Sequence, residues 1–331
     1  MQANHMITAS TIESIAVKGR DYPMKSFKPE MTIERAKQYL QTIESEIIAD
    51  IAPIEMGELS KVFRYRLGSQ SFVIHFKNSS ETVDKIKLIS ERYSSVMPIP
   101  RIVKVGTCDG LPYTITEQAA GVPVITQPKE EIVRVIPDLI KQFAAMNQVR
   151  VDHTSGHGWI TPSGEASSDS WTDWLASTFK EEQVGFYVGW TSLFESSFLE
   201  KDVFDQTYAA MIDLAQYAPK ERYLVHGDFH LGNMLSDGGR LTAIVDWEMA
   251  MYGDFMFDVA VLHLWVPQIG FPQRLREFWE REGEEIPHFE KRLLCYQLFK
   301  GLDGLRFYAK KDDKPSYDFM KSHLIQLLKQ V

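Results

Sequence analysis

Apolar residues recur along this chain with two different periods, and the change between them divides it. In MTIERAKQYLQTIESEIIADI the residues Ile33, Ala36, Leu40, Ile43 and Ile47 share one face of a helix. KVFRYRL and SFVIHFK then alternate apolar and polar positions around GSQ, which predicts two strands joined by a tight turn. ETVDKIKLISERYS returns to helical spacing and is stopped by MPIPRIVKVGT, after which LPYTITEQ reads as a further strand. Beyond AAGVP the pattern is mostly helical, through EEIVRVIPDLIKQFAAMNQV and on to the C-terminus. The expected fold class is α+β. A strand-rich N-terminal lobe covers residues 1–117, a mainly helical C-terminal lobe covers 118–331, and a hinge lies near 117–121.

One stretch breaks the helical pattern of the second half. In YLVHGDFHLGNMLSDGGRLTAIVDW the pair Gly238-Gly239 suits a two-residue hairpin turn. Continuing that register places Asn233 opposite Ile244, with Asp246 its diagonal neighbour on the same face, roughly 7–8 Å away. An amide oxygen and a carboxylate at those positions can share a hard cation such as Mg²⁺, which takes few protein oxygens and leaves room for phosphates. Asp228 precedes the hairpin, where a carboxylate can accept a hydroxyl proton. A rival reading makes His226, Asp228 and His230 zinc ligands on one strand face, but it leaves Asn233 and Asp246 without a purpose.

Composition narrows the classes. The chain has 331 residues, 44% of them apolar and 24% charged, with a net charge of −9, which disfavours a nucleic-acid partner and suits a cationic ligand. No apolar run approaches the roughly 18 residues of a membrane span. The start lacks the plan of a signal peptide. Two distant cysteines, Cys108 and Cys295, argue for a reducing cytoplasm over a disulfide framework.

The spacing Asp-x4-Asn followed by a later aspartate is that of a kinase catalytic loop and metal aspartate. HGDFHLGN resembles the H-x-D-x4-N loop of the aminoglycoside phosphotransferase and choline kinase family, and IVDWE resembles its metal segment. TSGHGWITPSG, SWTDWL and the Leu264-Trp265 pair are similar to the hygromycin B kinase branch. The resemblance implies a two-lobed, protein-kinase-like fold. It also implies transfer of a phosphoryl group from ATP or GTP to a hydroxyl of a small, cationic acceptor, without nucleic acid or membrane, by a monomer or homodimer. Asp228 would then be the catalytic base, with Mg²⁺ on Asn233 and Asp246.

Further roles follow from the same resemblance. Gly57 and Ser60 would belong to the nucleotide loop. VIH places His75 where the family carries its phosphate cation, with Lys77 on the same strand face as the alternative; of the two, Lys77 is the one surely charged at neutral pH. The acid partner of that cation would be Asp84 or Glu81, with Asp84 preferred. Thr116, Glu117 and Ala119 would border the adenine, the last two through their backbones. His226 and Asp258 would brace the loop. Glu248, Trp171, Asp173, Trp174 and Trp265 are the candidates to face the acceptor, although core packing is favoured for each tryptophan taken alone and a solvated surface acid for Asp173. His230 receives no role. Two other classes stay open: a kinase of another small molecule (macrolide, choline, sugar or metabolite), and a nucleotide-binding module without catalysis.

Overall fold

The computed structural model describes residues 27–55 and 59–331. Helix α1 (Ile33–Ile43) begins at Thr32, whose hydroxyl accepts the Arg35 N–H at 3.2 Å and so satisfies one free donor of the first turn. It buries Ala36 and Leu40. The helix ends at Ile43 because Glu44 takes extended dihedrals, so Ile47 does not share its face; it stands 87% exposed just ahead of strand β1 (Ile48–Ile54).

Strands β1, β2 (Lys61–Leu67), β3 (Gln70–Phe76), β4 (Ile102–Cys108) and β5 (Leu111–Glu117) form an antiparallel sheet in the order β1-β2-β3-β5-β4. Phe72, Ile74 and Phe76 of β3 pack with Phe63, Tyr65 and Ile115 against α1. Alternation along the strand therefore turns Val73, His75 and the following Lys77 to the opposite face, toward the rest of the chain.

Helix α2 (Ser80–Tyr93) crosses the division that the sequence pattern suggested. Its Ile89 and Tyr93, with Met97, pack into the large C-terminal cluster and not into the core of the five-stranded sheet. Tyr93 and Tyr252 share a hydrogen bond of 3.0 Å, and Arg92 donates to the Gly164 carbonyl at 3.2 Å.

The C-terminal part is mostly helical: α3 (Lys129–Asn147), α4 (Trp171–Ser177), α5 (Lys201–Ala215), α6 (Met256–Trp265), α7 (Phe271–Arg281), α8 (Phe289–Lys311) and α9 (Lys314–Leu328). Two small sheets lie within it. One orders β10 (Arg240–Ile244), β9 (Met234–Asp237) and β6 (Val122–Pro123); the other orders β7 (Gly158–Trp159), β11 (Met251–Gly253) and β8 (Tyr223–Val225). Helix α6 is buried continuously from Met256 to Leu262, as expected of a central helix that is apolar all round. No helix among the described residues is long and apolar enough to cross a membrane.

A buried ion pair fixes the start of α6. Asp254 accepts from Arg292 Nε at 2.9 Å and Nη2 at 2.5 Å, from the Tyr296 hydroxyl at 2.6 Å and from the Met256 N–H at 3.0 Å. The spare Arg292 Nη1 donates to Pro287 O at 3.0 Å, so both charges are satisfied in the core. Ahead of it, a Cβ on Gly253 would come within 2.2 Å of the Trp171 ring, so only glycine fits. Asp254→Ala would strand the buried guanidinium and is expected to cost about 3–5 kcal/mol. Urea denaturation checks this, and Asp254→Ala with Arg292→Met should recover part of the loss.

Candidate active site

The turn that leaves β8 carries His226, Gly227 and Asp228. The N–H groups of His226 and Gly227 donate to the two carboxylate oxygens of Asp258, at 2.6 and 2.8 Å. Burial pushes the Asp258 carboxyl up to about 7, while those two N–H groups pull it back. Gly227 has φ +84°, and a Cβ there would lie 2.1 Å from Met249 O, so the loop passes the next segment too closely for any side chain. His226 is fully buried; its Nδ1 accepts the Asp228 N–H at 3.2 Å, which leaves the proton on Nε2, 2.9 Å from Val245 O. Burial lowers its pKa, in keeping with this neutral tautomer, and the ring ties the loop to the strand before Asp246.

With both ring nitrogens of His226 in use, no zinc set forms from His226, Asp228 and His230. Among the described residues there is no group of three or more metal-binding His, Cys, Asp or Glu side chains. His230 instead accepts the Gly232 N–H on Nδ1 at 3.0 Å, which directs Nε2 at Asp228 Oδ2, 3.3 Å away. Asn233 Nδ2 donates to the Asp228 carbonyl at 3.0 Å and to Oδ2 at 3.3 Å. Oδ2 is thus occupied, while Oδ1 faces Lys300 Nζ at 4.0 Å. Burial would raise the Asp228 carboxyl, but the hydrogen bond from His230 and the nearby Lys300 ammonium hold it well below the usual carboxylate range.

The hairpin differs from the expected register. Arg240 pairs with Asp237 and Leu241 with Ser236, but a bulge at Thr242 shifts the rest by one, so Ile244 lies opposite Met234 and not Asn233. The Thr242 hydroxyl donates to Ala120 O at 2.6 Å, a tertiary bond that goes with the extra residue. Val245 N–H then reaches Asn233 O at 2.8 Å, and Asp246 takes a left-handed conformation, φ +66°. Because Asn233 spends its amide nitrogen on Asp228, its Oδ1 is left as a free acceptor among the described residues. That oxygen and the Asp246 carboxylate are the hard donors suited to Mg²⁺.

Lys77 follows β3 and is 4% exposed. Its Nζ lies 2.6 Å from Glu248 Oε2 and 3.4 Å from Asp246 Oδ1. Burial works against its charge, but those two carboxylates raise its pKa. Burial and the Lys77 ammonium push His75 down to about 4, so His75 is neutral and Lys77 is the cation on this face. Glu248 is raised by burial and by the like charge of Asp246, with Lys77 opposing.

Neither expected acid of α2 reaches Lys77. Glu81 and Asp84 are exposed, because the helix turns Val83, Lys85 and Ile89 inward. Lys85 is 7% exposed, and its Nζ donates to the Glu248 backbone carbonyl at 2.7 Å. Burial lowers its pKa to about 7, with Glu248 opposing.

On the acceptor side two expectations are corrected. Trp171 and Trp174 are core residues, 2% and 3% exposed, stacked on each other at 4.5 Å and packed on Phe257 and Phe299. Asp173 is an exposed first-turn residue of α4 capped by Ser170: its N–H donates to Ser170 Oγ at 3.1 Å, and that hydroxyl donates to Asp173 Oδ2 at 2.5 Å. Trp265 is partly buried at the end of α6. Ser60 is buried just before β2, and Thr116 lies opposite Val73 on β5. Glu117 accepts from Arg101 Nε at 3.0 Å, and Ala119 is half-buried after the strand. Gly57 lies outside the described residues.

Sequence reasoning missed Lys85, His230 and Lys300. Only His230, two residues after Asp228, carried a local signal. Lys300 belongs to a chain of charges on α8: it lies 3.8 Å from Asp303, which accepts from Arg306 at 3.1 Å, and Arg306 in turn covers the Tyr187 ring at 3.6 Å.

Hygromycin-B 4-O-kinase of Escherichia coli is 28% identical over 285 residues, covering 84% of this chain and 80% of that protein. The crystal structure of aminoglycoside phosphotransferase APH(4)-Ia superposes with a TM-score of 0.76 at 23% identity, covering 90% of this chain and 99% of that one. The GDP complex of aminoglycoside 2'-phosphotransferase-IIIa gives 0.60 at 15% identity, covering 91% and 98%. The fold is therefore the α+β kinase-like fold of these phosphotransferases. The model of the phosphotransferase enzyme family matches residues 50–294, most of the chain, and the protein belongs to that family.

Proposed function

We propose that this phosphotransferase moves the γ-phosphoryl group of ATP or GTP to a hydroxyl of a small molecule in the cytoplasm, with Asp228 as the base. The observation that carries the reading is the division of labour on Asp228: Oδ2 is held by His230 and Asn233, and Oδ1, 4.0 Å from Lys300 Nζ, is the oxygen that would receive the hydroxyl proton. Lys77, beside Asp246 and Glu248, stands where the donor phosphates would enter. Mg²⁺ held by Asn233 and Asp246 would neutralise charge on the phosphates. Positioning and charge neutralisation supply most of the catalysis, because phosphoryl transfer asks little covalent chemistry of the protein. The nucleotide would lie between the residues up to 117 and those beyond 118, its adenine against Thr116 and the backbone of Glu117 and Ala119, its phosphates near Gly57 and Ser60.

For the acceptor, the similarity to hygromycin-B 4-O-kinase favours an aminocyclitol of that type, bound beside Trp265, with resistance to the antibiotic as the consequence. A second reading has its own support. Lys300 stands beside the base, Glu248 is tied to Lys77, and the Asp173 carboxylate is bonded by the helix cap Ser170, which leaves little negative charge for a polycation and suits a neutral or anionic polyol.

Mg²⁺-dependent ADP release across hygromycin B, other aminocyclitols, sugars, sugar acids and choline separates these readings. One active acceptor class identifies the substrate, and turnover of none removes the catalytic reading. Asp228→Ala is expected to lower kcat by at least about a thousandfold with nucleotide affinity nearly unchanged. Full activity of that variant would contradict the assignment. Asp258→Asn can accept only one of the two loop N–H groups, so it is expected to cost about 1–3 kcal/mol of stability and to lower kcat more than it alters nucleotide affinity. Thermal melts and nucleotide titrations check both effects.

A further inference from the structure

Lys85 carries a buried amine whose close partners are neutral: the Glu248 carbonyl at 2.7 Å and the Trp159 ring at 5.6 Å from its centroid. Among the described residues no carboxylate oxygen lies within ion-pair distance of it; the Glu248 carboxylate is turned away, onto Lys77 at 2.6 Å. An amine in such a place is costly compared with an apolar side chain of the same length, whether it stays charged or gives up its proton. Helix α2 does nothing for its own packing by carrying it, since Val83, Ile89 and Tyr93 supply the buried contacts.

Its position explains what it does. Asp246, Trp247 and Glu248 form one tight turn that begins in the left-handed conformation of Asp246. The turn is pinned from the C-terminal side by the Trp247 indole, which donates to Ile244 O at 2.9 Å. Lys85 pins it from the other side, through the backbone of Glu248. The Glu248 side chain is then fixed in place to hold Lys77, and Lys77 also contacts Asp246. Helix α2 is itself anchored to the C-terminal core through Tyr93 and Arg92, so this pin has a rigid base.

We propose that Lys85 is a positioning residue for the nucleotide phosphates. It takes the helix position from which an acid was expected to reach Lys77, and the couple is inverted: the acid that steadies Lys77 is Glu248, and the helix supplies the amine donor that holds the Glu248 backbone. This inference rests on the nucleotide-kinase reading above. It adds a residue that touches neither nucleotide nor acceptor and acts through Glu248 and Lys77.

The test is Lys85→Met, which keeps the length and removes the hydrogen-bond donor, with Lys85→Arg and Lys85→Gln alongside. Affinities for MgATP and for adenosine are measured by calorimetry on the full chain, together with melting temperatures. The expected result for Lys85→Met is a loss of about tenfold in MgATP affinity, as for a lost buried hydrogen bond. Adenosine affinity should be unchanged and the melting temperature equal or higher, while Lys85→Arg should keep most of the MgATP affinity. A purely structural role would instead weaken both ligands together and lower the melting temperature, and that outcome overturns the proposal. So does unchanged MgATP affinity in Lys85→Met, or failure of both Lys85→Met and Lys85→Gln to fold. Wild-type protein that binds neither ligand would overturn the nucleotide reading and this inference together. Wild-type binding that Lys85→Met leaves intact would overturn this inference alone.

Discussion

The ammonium of Lys77, lodged between Glu248 and Asp246, joins the five-stranded sheet to the turn that follows the hairpin. Each of the three groups is out of place without the others. Two carboxylates a single turn apart repel, and burial makes that repulsion stronger; a cation between them relieves it. A buried ion cluster of this kind adds little net stability, because desolvation offsets most of the Coulomb attraction. Its value is local order. It sets where β3 ends relative to the hairpin, and it keeps a cation charged at the face where phosphates would arrive.

The other side of the site relies on buried carboxylates used in two different ways. Asp258 has no cation in contact and meets backbone N–H groups, so burial raises its pKa while the loop is drawn tight around it. Asp254 lies four residues earlier and is fully paired with Arg292 and Tyr296, which fixes where α6 begins. The second arrangement supports the first, since the start of α6 decides where Asp258 points. His226 completes the frame by linking the loop to Val245, so Asp228, Asn233 and Asp246 are placed by one continuous set of hydrogen bonds.

What the sequence made legible was what lies close together along the chain. The loop from His226 to Asn233 and the later Asp246 could be found from spacing, because their geometry is built within one turn and one hairpin. The bulge at Thr242 could not, since its hydroxyl bonds Ala120, a contact that no periodicity encodes. On α2, Asp84 and Lys85 are adjacent, and a small change of helix phase decides which one faces inward. Trp171 and Trp174 looked able to serve a groove because a tryptophan's burial depends on partners such as Phe257 and Phe299, remote in sequence. Lys300 was invisible for the same reason. The helical spacing through Ile47 overran the end of α1 because Glu44 takes extended dihedrals that the apolar pattern does not reveal.

The central claim is that Asp246 and Asn233 form a metal site on one side of Asp228. Titration with Mn²⁺ as a paramagnetic substitute, followed through water-proton relaxation in the presence of ATP, tests it most directly. Wild-type protein should show a protein-bound Mn²⁺–ATP complex that Asp246→Ala abolishes while still binding ATP. Equal relaxation enhancement in wild type and Asp246→Ala would contradict the account.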